Sequence, residues 1–89
     1  MTPAERFGLN LRQARRGAGL TQEDLGFAAE VHRSLVTLYE NGARLPRAGS
    51  LLRLAGACKV TPGALLAGIR FEPATYLNGR LVVEEVEDE

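Results

Sequence analysis

The chain contains no tryptophan and only one cysteine, one histidine, one methionine and one lysine. A lone Cys58 excludes an internal disulfide framework and a multi-thiolate metal site within one chain. A lone His32 gives no convincing start to a Ser–His–Asp arrangement or a multi-ligand metal centre. No apolar run approaches the length needed to span a bilayer. The N-terminus, Met1-Thr2-Pro3-Ala4-Glu5-Arg6, has no apolar leader segment, so a cytoplasmic location is expected. No glycine motif of the Walker or dinucleotide kind is present. Together these absences argue against an enzyme, a membrane protein and a metal- or cofactor-dependent protein.

With 89 residues, 6% aromatic, the chain makes one small domain whose modest core would benefit from oligomerisation. Its formal net charge of zero hides a division. Residues 1–70 carry ten basic residues against five acidic ones, and residues 71–89 carry Arg80 against six acidic ones. That division suggests a basic body able to meet a polyanion, followed by an acidic tail. Ten of the eleven cations are arginine, the side chain suited to planar, bidentate contact with phosphate or guanine. We therefore divide the chain into a body, residues 1–70, and an extension, residues 71–89.

Five short helices are predicted in the body. Thr2-Pro3-Ala4-Glu5 combines a capping hydroxyl, a proline at the first helical position and a reciprocal carboxylate. Phe7, Leu11 and Ala14 follow at helical spacing, and Gly17 and Gly19 end the helix. Thr21 and Asp24 repeat the capping box, with Leu20 and Leu25 as hydrophobic staple and Leu25, Ala28 and Ala29 as the apolar face. A third helix runs roughly from Arg33 to Asn41, with Val36 and Tyr39 inward and Gly42 closing it. Leu51, Leu54, Ala55 and Cys58 form a buried stripe on the fourth. Thr61-Pro62 starts a short fifth helix, which Gly68 ends. In the extension, Asn78-Gly79 between Tyr76-Leu77 and Arg80-Leu81-Val82-Val83 predicts a β-hairpin.

The second and third helices, joined by a turn of three to four residues, have the form of a helix-turn-helix unit. Leu25, Ala29, Val31, Val36 and Tyr39 fill its core, and Gly26 sits where the two helices approach. His32, Arg33, Ser34, Thr37, Leu38 and Asn41 are left on the opposite face. There an apolar Leu38 is odd for solvent but could meet a thymine methyl in a major groove.

Residues 7–68 resemble the Cro/repressor-like (XRE-type) helix-turn-helix family. The resemblance rests on Phe7-Gly8, Arg12, Arg15, Gly19-Leu20-Thr21-Gln22-Glu23-Asp24-Leu25, His32-Arg33-Ser34, Glu40-Asn41-Gly42, Arg44, Pro46 and Leu51-Leu52-Arg53-Leu54-Ala55. It implies a mainly α, five-helix domain that binds double-stranded DNA with its third helix in the major groove, usually as a dimer on a two-fold-related operator. It makes Gln22 a phosphate contact that also braces the third helix. It places His32, Arg33, Ser34, Thr37 and Leu38 at base edges or flanking phosphates. Arg33 is the foremost candidate for direct readout, because a guanidinium can bond guanine O6 and N7 together. Asn41 and Gly42 resemble the loop whose amides meet phosphate, with Arg44 adding charge. Arg15 and Glu40 resemble the family's internal ion pair, a structural feature. No cofactor, metal or membrane is implied.

Two departures stand out. Glu30 occupies the turn position where the family usually has glycine, and a non-glycine left-handed residue costs on the order of 1–2 kcal/mol. Either the turn carries that cost or its path is reshaped. His32 replaces the common serine or threonine cap, which weakens the start signal of the third helix. For the extension, Tyr76, Leu77, Leu81 and Val83 are expected at a homodimer contact, against the plainer reading of a solvated acidic tail. A rival reading of the whole chain is a protein-interaction module, antitoxin-like or adaptor, whose tail grips a partner protein.

Overall fold

Thr2 and Thr21 each start a helix through the reciprocal bonds their sequences call for. In the computed structural model, which describes residues 1–74 and 77–84, α1 spans Pro3–Gly17, α2 Gln22–Ala29, α3 Arg33–Glu40, α4 Ala48–Cys58 and α5 Pro62–Leu65. The Thr2 hydroxyl accepts from the Glu5 amide at 3.1 Å while the Glu5 carboxylate accepts from the Thr2 amide at 2.8 Å. Thr21 and Asp24 do the same, both at 3.0 Å. These bonds satisfy amides that a helix start otherwise leaves unpaired, and hold the Glu5 and Asp24 carboxyls below their ordinary pKa.

The four longer helices end alike. After α1 the Leu20 amide bonds back to the Arg15 carbonyl and Gly19 to Arg16; after α3, Ala43 bonds to Leu38 and Gly42 to Tyr39. After α2, Val31 bonds to Gly26 and Glu30 to Phe27; after α4, Val60 bonds to Ala55 and Lys59 to Gly56. Each is a Schellman stop built on one left-handed residue: Gly19, Gly42, Glu30 at φ 57° and Lys59 at φ 58°. The turn after α2 therefore keeps the left-handed path and carries the side chain, rather than being reshaped. Leu20, Val31 and Val60, which follow these residues, all pack against the core. Glu30→Gly should relieve the steric strain, offset in part by glycine's greater entropy loss, for a net gain of about 0.5–1 kcal/mol. A thermal melt should show a rise of a few degrees; an unchanged or lower melting temperature would contradict a strained turn.

The core comprises Phe7, Leu11, Leu25, Ala29, Val36, Tyr39, Leu54, Ala55, Cys58 and Leu65. The Phe7 and Tyr39 rings meet edge to face at 6.4 Å, joining α1 to α3. Gly8 and Gly26 permit close approaches of α1 to α3 and of α2 to the turn after it: a Cβ at Gly8 would lie 2.5 Å from the Tyr39 carbonyl oxygen, and one at Gly26 2.9 Å from that of Val31. Ala28, expected on the inward face of α2, is exposed, because Ala29 and Leu25 alone line that short contact. Buried Asn10 donates to the Leu65 and Ala67 carbonyls at 3.0 and 2.8 Å, fixing the end of α5 on α1.

The extension forms a two-stranded antiparallel sheet, β1 (Ile69–Glu72) and β2 (Arg80–Val83), paired Ile69 to Val83, Arg70 to Val82, Phe71 to Leu81 and Glu72 to Arg80. A β-hairpin is present, as expected, but its first strand lies earlier than Asn78-Gly79 indicated. Leu77 belongs to the connecting segment, 73–79, and is fully exposed; Tyr76 lies outside the described residues. The physical reason is anchorage. Ile69 leaves α5 already packed against the core, and the Glu84 amide donates to the Gly68 carbonyl at 2.7 Å. A strand held to the body is a better template than a free turn. Gly79 then lies beneath the Phe71 ring, where a side chain has no room.

Candidate nucleic-acid interface

A buried carboxylate fixes α3 on the rest of the body. The Glu40 side chain is fully buried at the end of α3 and faces Arg15 of α1, which donates to it through Nε at 2.6 Å and Nη2 at 2.9 Å. Arg15 also donates to the Leu20 carbonyl at 2.9 Å, and Arg12 reaches Glu40 at 3.3 Å. Burial pushes the Glu40 carboxyl up, but the bonds from Arg15, Gln22 and Arg12 outweigh it and hold the group below its ordinary value. The bond to Glu40 in turn raises Arg15. This two-pronged guanidinium–carboxylate contact is the geometry that resists desolvation best.

Gln22, the first residue of α2, extends the same network. Its Nε2 donates to Glu40 at 3.2 Å and its Oε1 accepts from the Thr37 hydroxyl at 3.0 Å. The carboxylate accepts only, so the amide orientation is fixed and one Nε2–H stays uncommitted. Gln22 thus braces α3 while keeping a donor beside Thr37.

The outward face of α3 carries His32, Arg33, Ser34, Thr37 and Leu38 together. His32, Arg33 and Ser34 are exposed, Thr37 is half-buried and Leu38 is 41% exposed. His32 does cap the helix: its Nδ1 accepts from the Ser34 amide at 3.1 Å. Arg33 lies 3.9 Å from Glu23, both side chains largely exposed, an ion pair loose enough to give way to a stronger anion. Leu35, by contrast, packs against the core.

Beyond α3, Asn41 is exposed, Gly42 is left-handed against Glu5, and Arg44 is exposed in the loop to α4. Arg44 and Arg47 line a groove of about 330 Å³ with Leu35, Tyr39, Leu45 and Ser50, without an acidic residue. Arg47 stands at the N-cap of α4 and makes no side-chain cap bond, so no cap side chain satisfies the first amides of that helix. Helix N-termini of this kind favour anions. The sequence reading passed over Arg47. Its signal was a basic residue directly before a helix that lacks a capping hydroxyl.

The model of one protein family, described as a helix-turn-helix domain, matches residues 6–68. The chain belongs to the Cro/repressor-like, XRE-type helix-turn-helix family. Its fold is similar to that of the restriction-modification controller protein C.AhdI from Aeromonas hydrophila, with a TM-score of 0.67 and 37% identity over 70% of this chain and 94% of that one. It is also similar to the P22 c2 repressor solved in complex with a synthetic operator, with a TM-score of 0.65 and 27% identity over 70% of this chain and 94% of that one. The clp gene regulator ClgR from Corynebacterium glutamicum shares the fold, with a TM-score of 0.70 at 23% identity over 74% of this chain and 70% of that one. No curated protein matches the chain.

The five helices are thus those of a helix-turn-helix transcription regulator, and the small sheet is an addition beyond the matched residues. Cys58 is buried in the core, where desolvation first and the charge of Glu40 second push its thiol pKa up and keep it protonated. Among the described residues no group of three or more His, Cys, Asp or Glu could hold a metal ion, and no helix is long and apolar enough to cross a membrane.

Proposed function

We propose that the chain is a sequence-specific regulator that binds double-stranded DNA with α3 in the major groove, as a homodimer on a pseudo-palindromic operator. The observation that carries this reading is the outward face of His32, Arg33, Ser34, Thr37 and Leu38, continued by exposed Asn41 and Arg44 and braced from behind by the Arg15–Glu40–Gln22 network. Base edges are read by Arg33, Ser34, Thr37 and Leu38. Phosphates are met by Gln22, the amides of Asn41 and Gly42, Arg44, and Arg47 with the start of α4. Half-sites lie roughly 34 Å apart, one turn of the duplex, as two-fold docking of α3 requires.

Selection of bound sequences from a random duplex library tests the reading, with Arg33→Ala in parallel. A two-fold-related motif is expected, and the variant should lose preference for guanine at one base pair in each half-site, a discrimination of roughly 1–3 kcal/mol. Arg47→Ala should behave differently. It should weaken binding evenly across sequences and lower the slope of log affinity against log salt by about 1, because it removes a phosphate contact and no base contact. Equal effects of the two variants on base preference would refute this division of labour.

The interaction-module reading has one observation in its favour: Phe27 on α2 is 90% exposed, a large apolar side chain flanked in sequence by Glu23 and Glu30. A library with no enriched motif at moderate salt, and a partner protein recovered with the chain, would support that reading instead.

A further inference from the structure

Two bonds at the start of α3 settle which way its hydrogen-bonding groups point. The Ser34 backbone N–H donates to His32 Nδ1 at 3.1 Å, and the Ser34 hydroxyl lies 2.7 Å from the same nitrogen. A backbone amide can only donate, so Nδ1 carries a lone pair and no proton. Toward that nitrogen the hydroxyl beside it can only donate, sharing the one lone pair with the amide. The neutral ring keeps its proton on Nε2, and the hydroxyl keeps its lone pairs for whatever lies in front of α3. The alternative tautomer would set an Nδ1 proton against the Ser34 amide and leave the helix uncapped.

Resting on the operator reading above, we infer that His32 and Ser34 form a polarity-locked recognition pair, in which Nε2–H is a fixed donor and the Ser34 hydroxyl a fixed acceptor. A free serine hydroxyl reads little, because it can donate or accept. A hydroxyl committed to Nδ1 can bond only base edges that donate in the major groove, adenine N6 or cytosine N4, and it rejects guanine and thymine, which present acceptors there. The His32 donor takes a phosphate oxygen or a base acceptor. Thr37 repeats the polarity one turn on, since its hydroxyl donates to Gln22 Oε1 at 3.0 Å and approaches the Arg33 carbonyl at 3.3 Å. The short hydroxyls of this face are acceptors by internal bonding, and Arg33 is the donor that complements them.

His32 is the sole histidine, so its ring can be read without ambiguity in the free, full-length chain. Long-range proton–nitrogen correlation of the neutral ring should show Nε2 protonated and Nδ1 bare, with a coupling across the hydrogen bond to the Ser34 amide nitrogen. A proton on Nδ1 would overturn the lock. The library selection then reads its consequence. The wild-type chain should require adenine or cytosine at one position in each half-site, and Ser34→Ala should lose about tenfold discrimination there. His32→Gly removes the Nδ1 acceptor while leaving a residue tolerated at the N-cap, and it frees the hydroxyl, so guanine and thymine should be admitted at that same position. Tolerance of guanine or thymine by the wild-type chain there, or a Ser34→Ala profile identical to wild type, would overturn the assignment. No enriched motif at all would overturn the operator reading and the base assignment with it, while the ring spectrum would still decide the lock by itself.

Discussion

Glu40→Gln should destabilise the domain by about 3–5 kcal/mol, the cost of leaving one member of a buried ion pair without its counter-charge. Domains hold only about 5–15 kcal/mol in total, so the variant should melt more than ten degrees below wild type. The size of the effect follows from burial. The Glu40 side chain is fully buried and that of Arg15 is only 11% exposed, so the guanidinium left behind by the substitution cannot recover its solvation. Arg15→Ala should also destabilise, but by less, because Arg12 and Gln22 still donate to the carboxylate. The double variant Arg15→Met, Glu40→Leu should recover most of the stability, because an apolar pair removes both charges from the interior. It should not recover operator affinity, because Gln22 and Thr37 lose the carboxylate that orients them. Recovery of both would show the network to be a stability element alone.

The same carboxylate predicts a direction with pH. Arg15, Gln22 and Arg12 hold its folded pKa below the ordinary 4.5 despite burial. A folded value below the unfolded one means that the contribution is complete above the unfolded pKa and is lost as pH falls through the folded value. Stability should therefore be flat near neutrality and decline below about pH 4.5, with Glu5 and Asp24 adding in the same direction. Glu40→Gln should remove part of that acid dependence, which melts at a series of pH values will register.

Much of this architecture is legible in the sequence because it is local. Capping boxes at Thr2 and Thr21, the apolar stripe of α4 and the inward positions of α3 each follow from spacings of three and four residues, which the backbone converts directly into geometry. What escaped reading depends on competition between local signals and packing. Lys59 ends α4 left-handed without glycine because Val60 behind it packs against the core; at Glu30 the sequence raises the question but leaves the path open, and Val31 decides it in the same way. Lys59 gives no sequence signal of this at all. The strand Ile69-Arg70-Phe71-Glu72 does alternate apolar and charged residues, a period-two pattern, but Asn78-Gly79 is the louder signal and drew the hairpin to the wrong place. The His32 cap escaped because imidazole is not an ordinary capping group; it serves here because Ser34 is positioned to donate twice. Arg47 escaped because a basic residue before a helix without a capping hydroxyl is a weak signal until the groove it shares with Arg44 is seen.

Leu81→Glu should cut operator affinity by about 10²–10⁴-fold, the factor lost when two linked half-site contacts become separate events. The argument starts from the pairing of β1 with β2. Ile69 faces Val83 and Phe71 faces Leu81, so alternation along the strands puts all four on one side of the sheet. Ile69 packs on the core, but Phe71 is 58% and Leu81 46% exposed, and Leu77 from the connecting segment is fully exposed. The apolar face thus runs off the domain into solvent, and its charged neighbours Arg70, Glu72 and Glu84 pair among themselves on the sheet. A second copy of the same face supplies matching apolar surface by two-fold symmetry. Burying a side chain of this size gives about 1.5–3 kcal/mol, and association costs about 4–15 kcal/mol. Four to six such side chains therefore leave a margin that one buried carboxylate erases. If this face is the dimer contact, sedimentation should find the wild-type chain dimeric and Leu81→Glu monomeric, and the concentration dependence of the wild-type melting temperature should vanish in the variant. Affinity for an isolated half-site should be preserved, since α3, Gln22 and the Arg44–Arg47 loop are untouched. A variant that remained dimeric, or that lost half-site binding as well, would place the dimer contact elsewhere and return this face to solvent.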